Sequence, residues 1–128
     1  IVTHASLWNL DAFGNTTDAA WYWEREMSPE MRERYSPHRA GADIVTPMLV
    51  IHGDKDYRVP IGEGLALWRE LAAGWAGKPE DFPHRFLYFP DENHWVLSPQ
   101  HAELWYETVF SFIEAGIGKA GFTRPELL

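Results

Sequence analysis

The sequence has 128 residues, of which 45% are hydrophobic and 23% charged, a composition that predicts one small domain folded around a core. Its formal net charge of −8 disfavours nucleic acid and anionic membranes as partners, and no apolar run approaches the roughly 20 residues that span a bilayer. The lack of cysteine excludes disulfides, thiolate metal sites and a cysteine nucleophile. Since the chain begins at Ile1 without a methionine, we expect it to be part of a longer protein.

The first part of the chain is punctuated by proline, glycine and small polar residues. Aspartate and serine favour helix starts, because their side-chain oxygens accept free N–H groups of the first turn. Proline suits the first helical position, where its missing N–H costs nothing. The predicted elements are, in order, the end of a strand at 1–5, a loop at 7–18, a helix from Asp18 to Glu26, a helix from Ser28 through Pro29 to Arg34, and a connector at 36–47.

The rest of the chain alternates strands with helices. The run from Met48 to Ile51 is apolar at every position, which is typical of a strand buried on both faces of a parallel sheet. The strand-helix-strand-helix order predicts an α/β fold with a mostly parallel sheet and flanking helices. The predicted elements are a strand at 48–51, a loop at 54–60, a helix at 61–75, a loop at 78–83, a strand at 85–89, a loop at 91–98, and a long helix from Pro99 to Gly116.

The loops that follow the second and third strands contain the residues best suited to catalysis. In parallel sheets, reactive groups lie just beyond the carboxyl ends of the strands. The first of these loops contains Asp54 and Asp56, and the second contains His94. This order fits a nucleophile–histidine–acid relay, in which a carboxylate holds Nδ1–H and leaves Nε2 free as a base. Spacing alone does not choose between the two aspartates, and each also suits an Asx turn.

The nucleophile of such a relay is missing from the expected place. In α/β-hydrolases it precedes the acid and stands in a G-x-S-x-G elbow. The chain has five serines, and none of them lies in that pattern. Only Ser6 precedes the acids near a predicted strand, and it lacks the flanking glycines of the sharp turn. The residues therefore predict a truncated site that lacks its nucleophile and its oxyanion donors.

Several motifs together resemble the end of the catalytic domain of prolyl oligopeptidase family serine peptidases, over residues 1–114. The resemblance is strongest to the dipeptidyl-peptidase and acylaminoacyl-peptidase-like branches. Its specificity lies in the order and spacing of separate motifs. These motifs are Ser36-Pro37, the run T-P-M-L-V-I-H-G-D-K-D-Y-R-V-P at 46–60, the run L-Y-F-P-D-E-N-H at 87–94, and Trp105-Tyr106-Glu107.

This resemblance implies the C-terminal portion of an α/β-hydrolase fold, with residues 1–115 belonging to the catalytic domain and residues 116–128 forming a tail. It implies Asp56 as the catalytic acid and His94 as the catalytic base of a peptidase that cleaves peptide or acyl-peptide bonds through an acyl-enzyme. The serine of family members lies upstream, so we expect the isolated chain to be inactive. No cofactor and no metal are implied.

The resemblance also implies partners. Family members usually carry a β-propeller beside the catalytic domain. We therefore expect the chain to pack against the remainder of a catalytic domain and a propeller, and to act on a peptide or acyl-peptide substrate. An open sheet edge would also allow a homo-oligomer. Neither nucleic acid nor a membrane is an expected partner, and the compartment is left open.

Two other functions remain open from the residues alone. The D-x-D at 54–56 follows an apolar strand, as in haloacid dehalogenase-type phosphohydrolases. In that chemistry the strand runs straight into the nucleophilic aspartate, whereas here His52 and Gly53 intervene, and no later acidic pair completes a Mg²⁺ site. A non-catalytic fragment or a binding or structural module is the second alternative, since no hydroxyl nucleophile is in position.

The other polar and aromatic residues near these loops are expected to have structural roles. We interpret His52 as a packed histidine that bonds a neighbouring loop, and Asp91 with Glu92 as a solvated acidic loop. Trp95 either lines a substrate pocket or packs on its own loop. Surface positions are expected for His4, His38, His84 and His101.

Overall fold

The computed structural model describes residues 1–118 and Pro125. Short 3₁₀ segments occupy Pro37–Asp43 and Pro79–Asp81. Apart from residues 116–118 and Pro125, the predicted tail at 116–128 lies outside the described residues. The strands and helices are β1 (Val2–His4), α1 (Leu10–Gly14), α2 (Ala20–Glu26), α3 (Pro29–Tyr35), β2 (Leu49–Gly53), α4 (Ile61–Gly74), β3 (Arg85–Phe89) and α5 (Pro99–Gly116).

The three strands form one parallel sheet in the order β1-β2-β3. In its register Thr3 pairs with Val50, and Val50 pairs with Phe86. The carboxyl ends of all strands therefore lie at one edge of the sheet. In the described part of the chain, β1 is paired with β2 alone and its outer edge carries no strand. The α/β class and the parallel sheet expected from the sequence are confirmed.

Helices α4 and α5 cover opposite faces of the sheet. Successive residues of a strand point to opposite faces, and this alternation divides the core into two clusters. One cluster lies between the sheet and α5 and contains Leu49, Ile51, Leu87, Phe89, Leu104, Val109 and Phe112. The other lies on the α4 face and contains Trp8, Met48, Val50, Leu67 and Leu71. Every residue of β2 is buried, which agrees with the apolar run Leu49-Val50-Ile51 and the expected burial on both faces of the sheet.

The helix starts were predicted with mixed success. The Oγ of Ser28 accepts the N–H of Met31, and Pro29 is the first residue of α3, as expected. By contrast, Asp18 does not cap α2. Its Oδ1 instead accepts a hydrogen bond of 2.7 Å from Nε of Arg58, which is distant in sequence. The carboxylate therefore pairs with an arginine and not with the first turn of the helix.

Two further expectations were wrong. The predicted loop at 7–18 contains the five-residue helix α1, whose N-cap Asn9 accepts the N–H groups of Asp11 and Ala12. A helix this short leaves too few turns for an apolar periodicity to show. His84, expected at the surface, is buried, and its Nδ1 accepts the N–H of Met48. Burial is the main cause that lowers the pKa of His84.

Within the described part of the chain, no helix combines the length and the apolar character needed to cross a bilayer.

Candidate active site

The two polar loops meet at the carboxyl edge of the sheet. We call residues 54–60, which follow β2, the acid loop, and residues 91–98, which follow β3, the histidine loop. The acid loop carries Asp56 and the histidine loop carries His94. Because β2 and β3 are adjacent and parallel, their following loops start side by side. The topology thus brings together two residues that are 38 positions apart in sequence.

Main-chain hydrogen bonds hold the acid loop against the end of β3 and the histidine loop. The N–H of Asp54 donates to Phe89 O at 2.9 Å, and the N–H of Lys55 donates to Glu92 O at 3.0 Å. Gly53, the last residue of β2, makes this approach possible. A Cβ at this position would lie 2.6 Å from Glu92 O, which is closer than real Cβ contacts. The glycine at the end of the buried strand is therefore a packing requirement of the site.

Asp56 is held in one orientation by its own loop. It is 3% exposed. Its Oδ1 accepts the main-chain N–H groups of Arg58 at 3.0 Å and Val59 at 2.8 Å. These two bonds form an Asx-type turn and leave Oδ2 facing the histidine loop. The sequence left open whether Asp56 forms a turn or acts in catalysis. In the structure Asp56 forms the turn, and this turn orients its carboxylate towards the histidine loop.

His94 contacts the remaining carboxylate oxygen. Its Nδ1 lies 2.9 Å from Asp56 Oδ2, and 37% of its side chain is exposed. A carboxylate at Nδ1 fixes the proton on that nitrogen and leaves the Nε2 lone pair available. The pair therefore has the geometry of a general base and its orienting acid. It is also suited to stabilise an imidazolium formed during proton transfer.

A second histidine lies behind the acid. His52 is fully buried, and its Nε2 donates to Val59 O at 2.7 Å, which closes the acid loop. The same nitrogen lies 3.7 Å from Asp56 Oδ2. The Nδ1 of His52 has no hydrogen-bond partner among the described residues and packs on Gly64, where a Cβ would lie closer than 3.0 Å. The contacts agree with the interpretation of a packed histidine that bonds a loop.

Asp54, the alternative acid, lies elsewhere. It is exposed and forms a hydrogen bond with the side chain of Tyr88, which raises the pKa of that phenol. Its neighbour Lys55 reaches across to Asp91 at 3.0 Å in an exposed ion pair, and this contact raises the pKa of Lys55. The structure therefore places Asp56, and not Asp54, against the histidine.

The acidic pair of the histidine loop divides between surface and interior. Asp91 is exposed, but Glu92 is only 5% exposed, so the expectation of a solvated pair was wrong for Glu92. Burial raises its pKa, but hydrogen bonds from Ser98, Leu97 and His101 outweigh burial and lower the pKa to about 2. A buried carboxylate with this many donors is a structural anchor, and only tertiary packing reveals it.

No described serine or threonine hydroxyl is hydrogen-bonded to His94. The hydroxyl of Ser6 pairs with that of Thr3. A separate serine–histidine contact joins Ser36 Oγ and His38 Nδ1 at 2.7 Å, but the same oxygen accepts the N–H of Leu10 and is buried. That contact therefore ties a connector to the start of α1 and does not present a nucleophile.

His4 joins the edge that carries Asp56 and His94, although the sequence interpretation placed it at the surface. It is the last residue of β1, and its Nε2 is buried without a hydrogen-bond partner among the described residues. Burial lowers its pKa first, and the nearby imidazoles of His52 and His94 lower it further. Its position at a strand end was the available signal.

A small cavity of about 230 Å³ lies beside His4. It is lined by His4, Trp95, Val96, Ala102, Trp105 and Tyr106. Trp95 is 67% exposed and lines this cavity, so it is not packed inside its own loop. In the described ranges, no group of three or more histidine, aspartate or glutamate side chains is arranged to hold a metal ion.

Comparisons with known proteins agree with this arrangement. The sequence model of the prolyl oligopeptidase family matches residues 1–120. Dipeptidyl-peptidase 5 of Aspergillus fumigatus is 36% identical over an alignment of 131 positions, which covers 94% of this chain and 17% of that protein. Dipeptidyl-peptidase 5 of Porphyromonas endodontalis is 33% identical over an alignment of 128 positions, which covers 92% of this chain and 18% of that protein. The chain thus spans about a sixth of the length of these relatives.

The fold has a close counterpart among solved structures. An acylaminoacyl peptidase of Pyrococcus horikoshii superposes with a TM-score of 0.75 at 20% identity, covering 88% of this chain and 19% of that one. This likeness shows the fold, and the α/β-hydrolase fold expected from the sequence is confirmed.

Proposed function

Because this chain belongs to the prolyl oligopeptidase family, a family of serine peptidases, we propose that it supplies the acid and the base of a peptidase active site. Asp56 is the acid and His94 is the base. The observation that carries the proposal is the 2.9 Å contact between His94 Nδ1 and Asp56 Oδ2. It joins a half-exposed imidazole to a buried carboxylate at the edge of the sheet where such folds place their chemistry.

In the proposed mechanism, His94 Nε2 takes the proton of a serine hydroxyl as that oxygen attacks the carbonyl carbon of the scissile bond. The imidazolium that forms is stabilised by Asp56 and then protonates the leaving amine. Water then attacks the acyl carbon as the same nitrogen takes its proton, and the imidazolium returns that proton to the serine oxygen as the serine–acyl bond breaks. Two main-chain N–H groups on Asp56 Oδ1 keep the carboxylate in place through both proton transfers.

The serine and the oxyanion donors belong, in this proposal, to a part of the protein outside these 128 residues. Support comes from the five serines of the chain, none of which lies in a G-x-S-x-G elbow. The 128 residues alone are therefore proposed to be inactive. The outer edge of β1 and the exposed side chains of Tyr106 and Phe110 on α5 offer surfaces for the remainder of a catalytic domain.

The proposed substrate is a peptide or an acyl-peptide. The relatives' names, dipeptidyl-peptidase 5 and acylaminoacyl peptidase, support this class and differ in what precedes the cleaved bond. The D-x-D alternative gains no support, because Asp54 is engaged with Tyr88 and lies apart from His94.

The proposal is tested by substitution in the complete enzyme, in which this chain is joined to its serine-bearing portion. We expect Asp56→Asn and His94→Ala each to lower kcat about 10³- to 10⁴-fold, because the base loses its orientation or is removed. Asp54→Asn, on the same loop and exposed, is the matched control and should keep near-normal activity. Normal turnover by His94→Ala would show that the assignment is wrong.

A labelling experiment serves as the second arm of this test. A serine-directed fluorophosphonate should label the complete enzyme once per chain and leave the 128-residue chain unlabelled. Stoichiometric labelling of Ser6 in the short chain would contradict the proposal that the nucleophile lies elsewhere.

A further inference from the structure

The histidine loop is irregular, yet it holds His94 at a defined distance from Asp56. Residues 91–98 contain no helix or strand. Four of its eight side chains are exposed, including Asp91 and Trp95, and three are half-buried. Glu92, two residues before the proposed base, is the one buried side chain of the loop, at 5% exposed.

The carboxylate of Glu92, near the start of the histidine loop, bonds to residues at the end of the same loop. Its Oε2 accepts the N–H of Leu97 at 3.1 Å, and its Oε1 accepts the N–H of Ser98 at 3.2 Å. The same Oε1 lies 2.6 Å from Nδ1 of His101, in the first turn of α5. Three donors thus converge on one carboxylate, which joins the start of the loop to its end and to the following helix. His94 stands inside the closed segment.

The main chain of Glu92 ties the same residue to the acid loop. Its carbonyl oxygen accepts the N–H of Lys55 at 3.0 Å, one residue before Asp56. It also lies against Gly53, where only a missing Cβ leaves room. Glu92 therefore contacts both loops. Its carbonyl group holds the acid loop beside Asp56, and its carboxylate holds the loop that carries His94.

We propose that Glu92 is a positioning residue that holds the His94 loop closed, so that Nδ1 stays on Asp56 and Nε2 keeps a fixed direction. This inference rests on the proposed function of His94. Glu92 itself touches neither of the reacting groups, and its part is to remove freedom from a loop that lacks regular structure. Its three contacts require acceptors on both carboxylate oxygens, which an amide cannot provide because one of its atoms is a donor.

The test compares Glu92→Gln with Asp91→Asn in the 128-residue chain. Both variants replace a carboxylate by an amide in the same loop, and Asp91 is the exposed neighbour. The readout is the low-field ¹H NMR signal of His94 Nδ1–H, assigned by its loss in His94→Asn. We expect exchange of this proton with water to become at least about tenfold faster in Glu92→Gln, as for the loss of one hydrogen bond to a charged group. Asp91→Asn should leave it unchanged.

A second variant guards against failure of Glu92→Gln to fold, which the amide signals of β2 would reveal. His101→Ala removes one donor at a partly exposed position, and we expect a smaller acceleration, about threefold to tenfold. In the complete enzyme, Glu92→Gln should lower kcat at least about tenfold with little change in KM, since a misdirected base weakens the transition state more than binding.

The outcomes distinguish the positioning role of Glu92 from the proposed peptidase function of His94. If Glu92→Gln and His101→Ala both leave the exchange of the His94 proton unchanged, Glu92 does not position His94, whatever the activity. If the exchange responds as expected but the complete enzyme tolerates His94→Ala, the peptidase assignment fails and the loop contact stands.

Discussion

The acid and histidine loops differ sharply from helices α2 and α3, and the irregular segments are the more firmly held. Each loop contains a buried carboxylate that accepts several N–H groups, Asp56 in one and Glu92 in the other. The two helices have regular hydrogen bonding but bury no residue completely. Regular secondary structure is therefore a poor guide to rigidity here.

The physical difference lies in what each region would lose on opening. A buried carboxylate that loses its donors is left charged and unpaired, which is strongly unfavourable. The aromatic residues of α2 make weaker contacts, such as the edge-on approach of Trp23 to Phe13 and the stacking of Arg25 over Tyr22. Such contacts are worth about 1 kcal/mol each. The comparison can be tested by perturbing each region.

The largest effect is expected at Gly53, where the two loops meet. In Gly53→Ala the new methyl group would overlap the main chain at Glu92 and Asn93, and neither carbonyl can move without opening the loop. We expect a loss of about 3 kcal/mol in the free energy of unfolding, at the upper end for overpacking. Urea denaturation of the chain measures it. The control is Gly62→Ala in α4, where nothing lies within 4 Å and a small gain is expected.

A smaller loss is expected in acid, through Glu92. Its pKa is lowered from 4.5 to about 2 in the folded chain. A lowered carboxyl pKa stabilises the folded state above pH 4.5, and this stabilisation is lost as the pH falls from 4.5 towards 2. Between pH 5.5 and 2.5 the parent chain should lose about 2 to 3 kcal/mol more than Glu92→Gln does. Equal losses in the two proteins would show that Glu92 is not the group responsible.

The smallest effect is expected in α2 and α3. Trp21 is 69% exposed and Met31 is 45% exposed, so truncation removes little buried surface. Trp21→Ala and Met31→Ala should each change the free energy of unfolding by less than about 0.5 kcal/mol. The measurement is again urea denaturation. A loss above 1 kcal/mol at either position would mean that these helices are anchored as firmly as the loops.

Much of the fold was predictable because its main elements are long or strongly patterned. The all-apolar run of β2, the β-prone run of β3 and the stripes of α4 and α5 signal their structure over several residues. The alternation of strand and helix then predicts a parallel sheet, whereas the order of its strands comes from the structure. Helix α1 escaped notice because five residues carry no periodicity.

The candidate site was predictable only in part. The two loops and the candidates Asp56 and His94 come from strand ends and a family motif, and their catalytic roles stay a prediction. The partner that each carboxylate finds depends on how the chain folds around it, so Asp18 was assigned to a helix cap and Glu92 to solvent. The short motif around Glu92 does not contain His101, which supplies one of its donors.

The outer edge of β1, which no described strand covers, could accept a further strand in either direction. A strand that joins it in parallel, at the ordinary spacing of about 4.8 Å, brings its carboxyl end beside His4, on the side where Asp56 and His94 meet. A strand that joins it antiparallel delivers its amino end instead. The polarity of attachment thus decides whether the residues that follow the added strand or those that precede it lie beside Asp56 and His94.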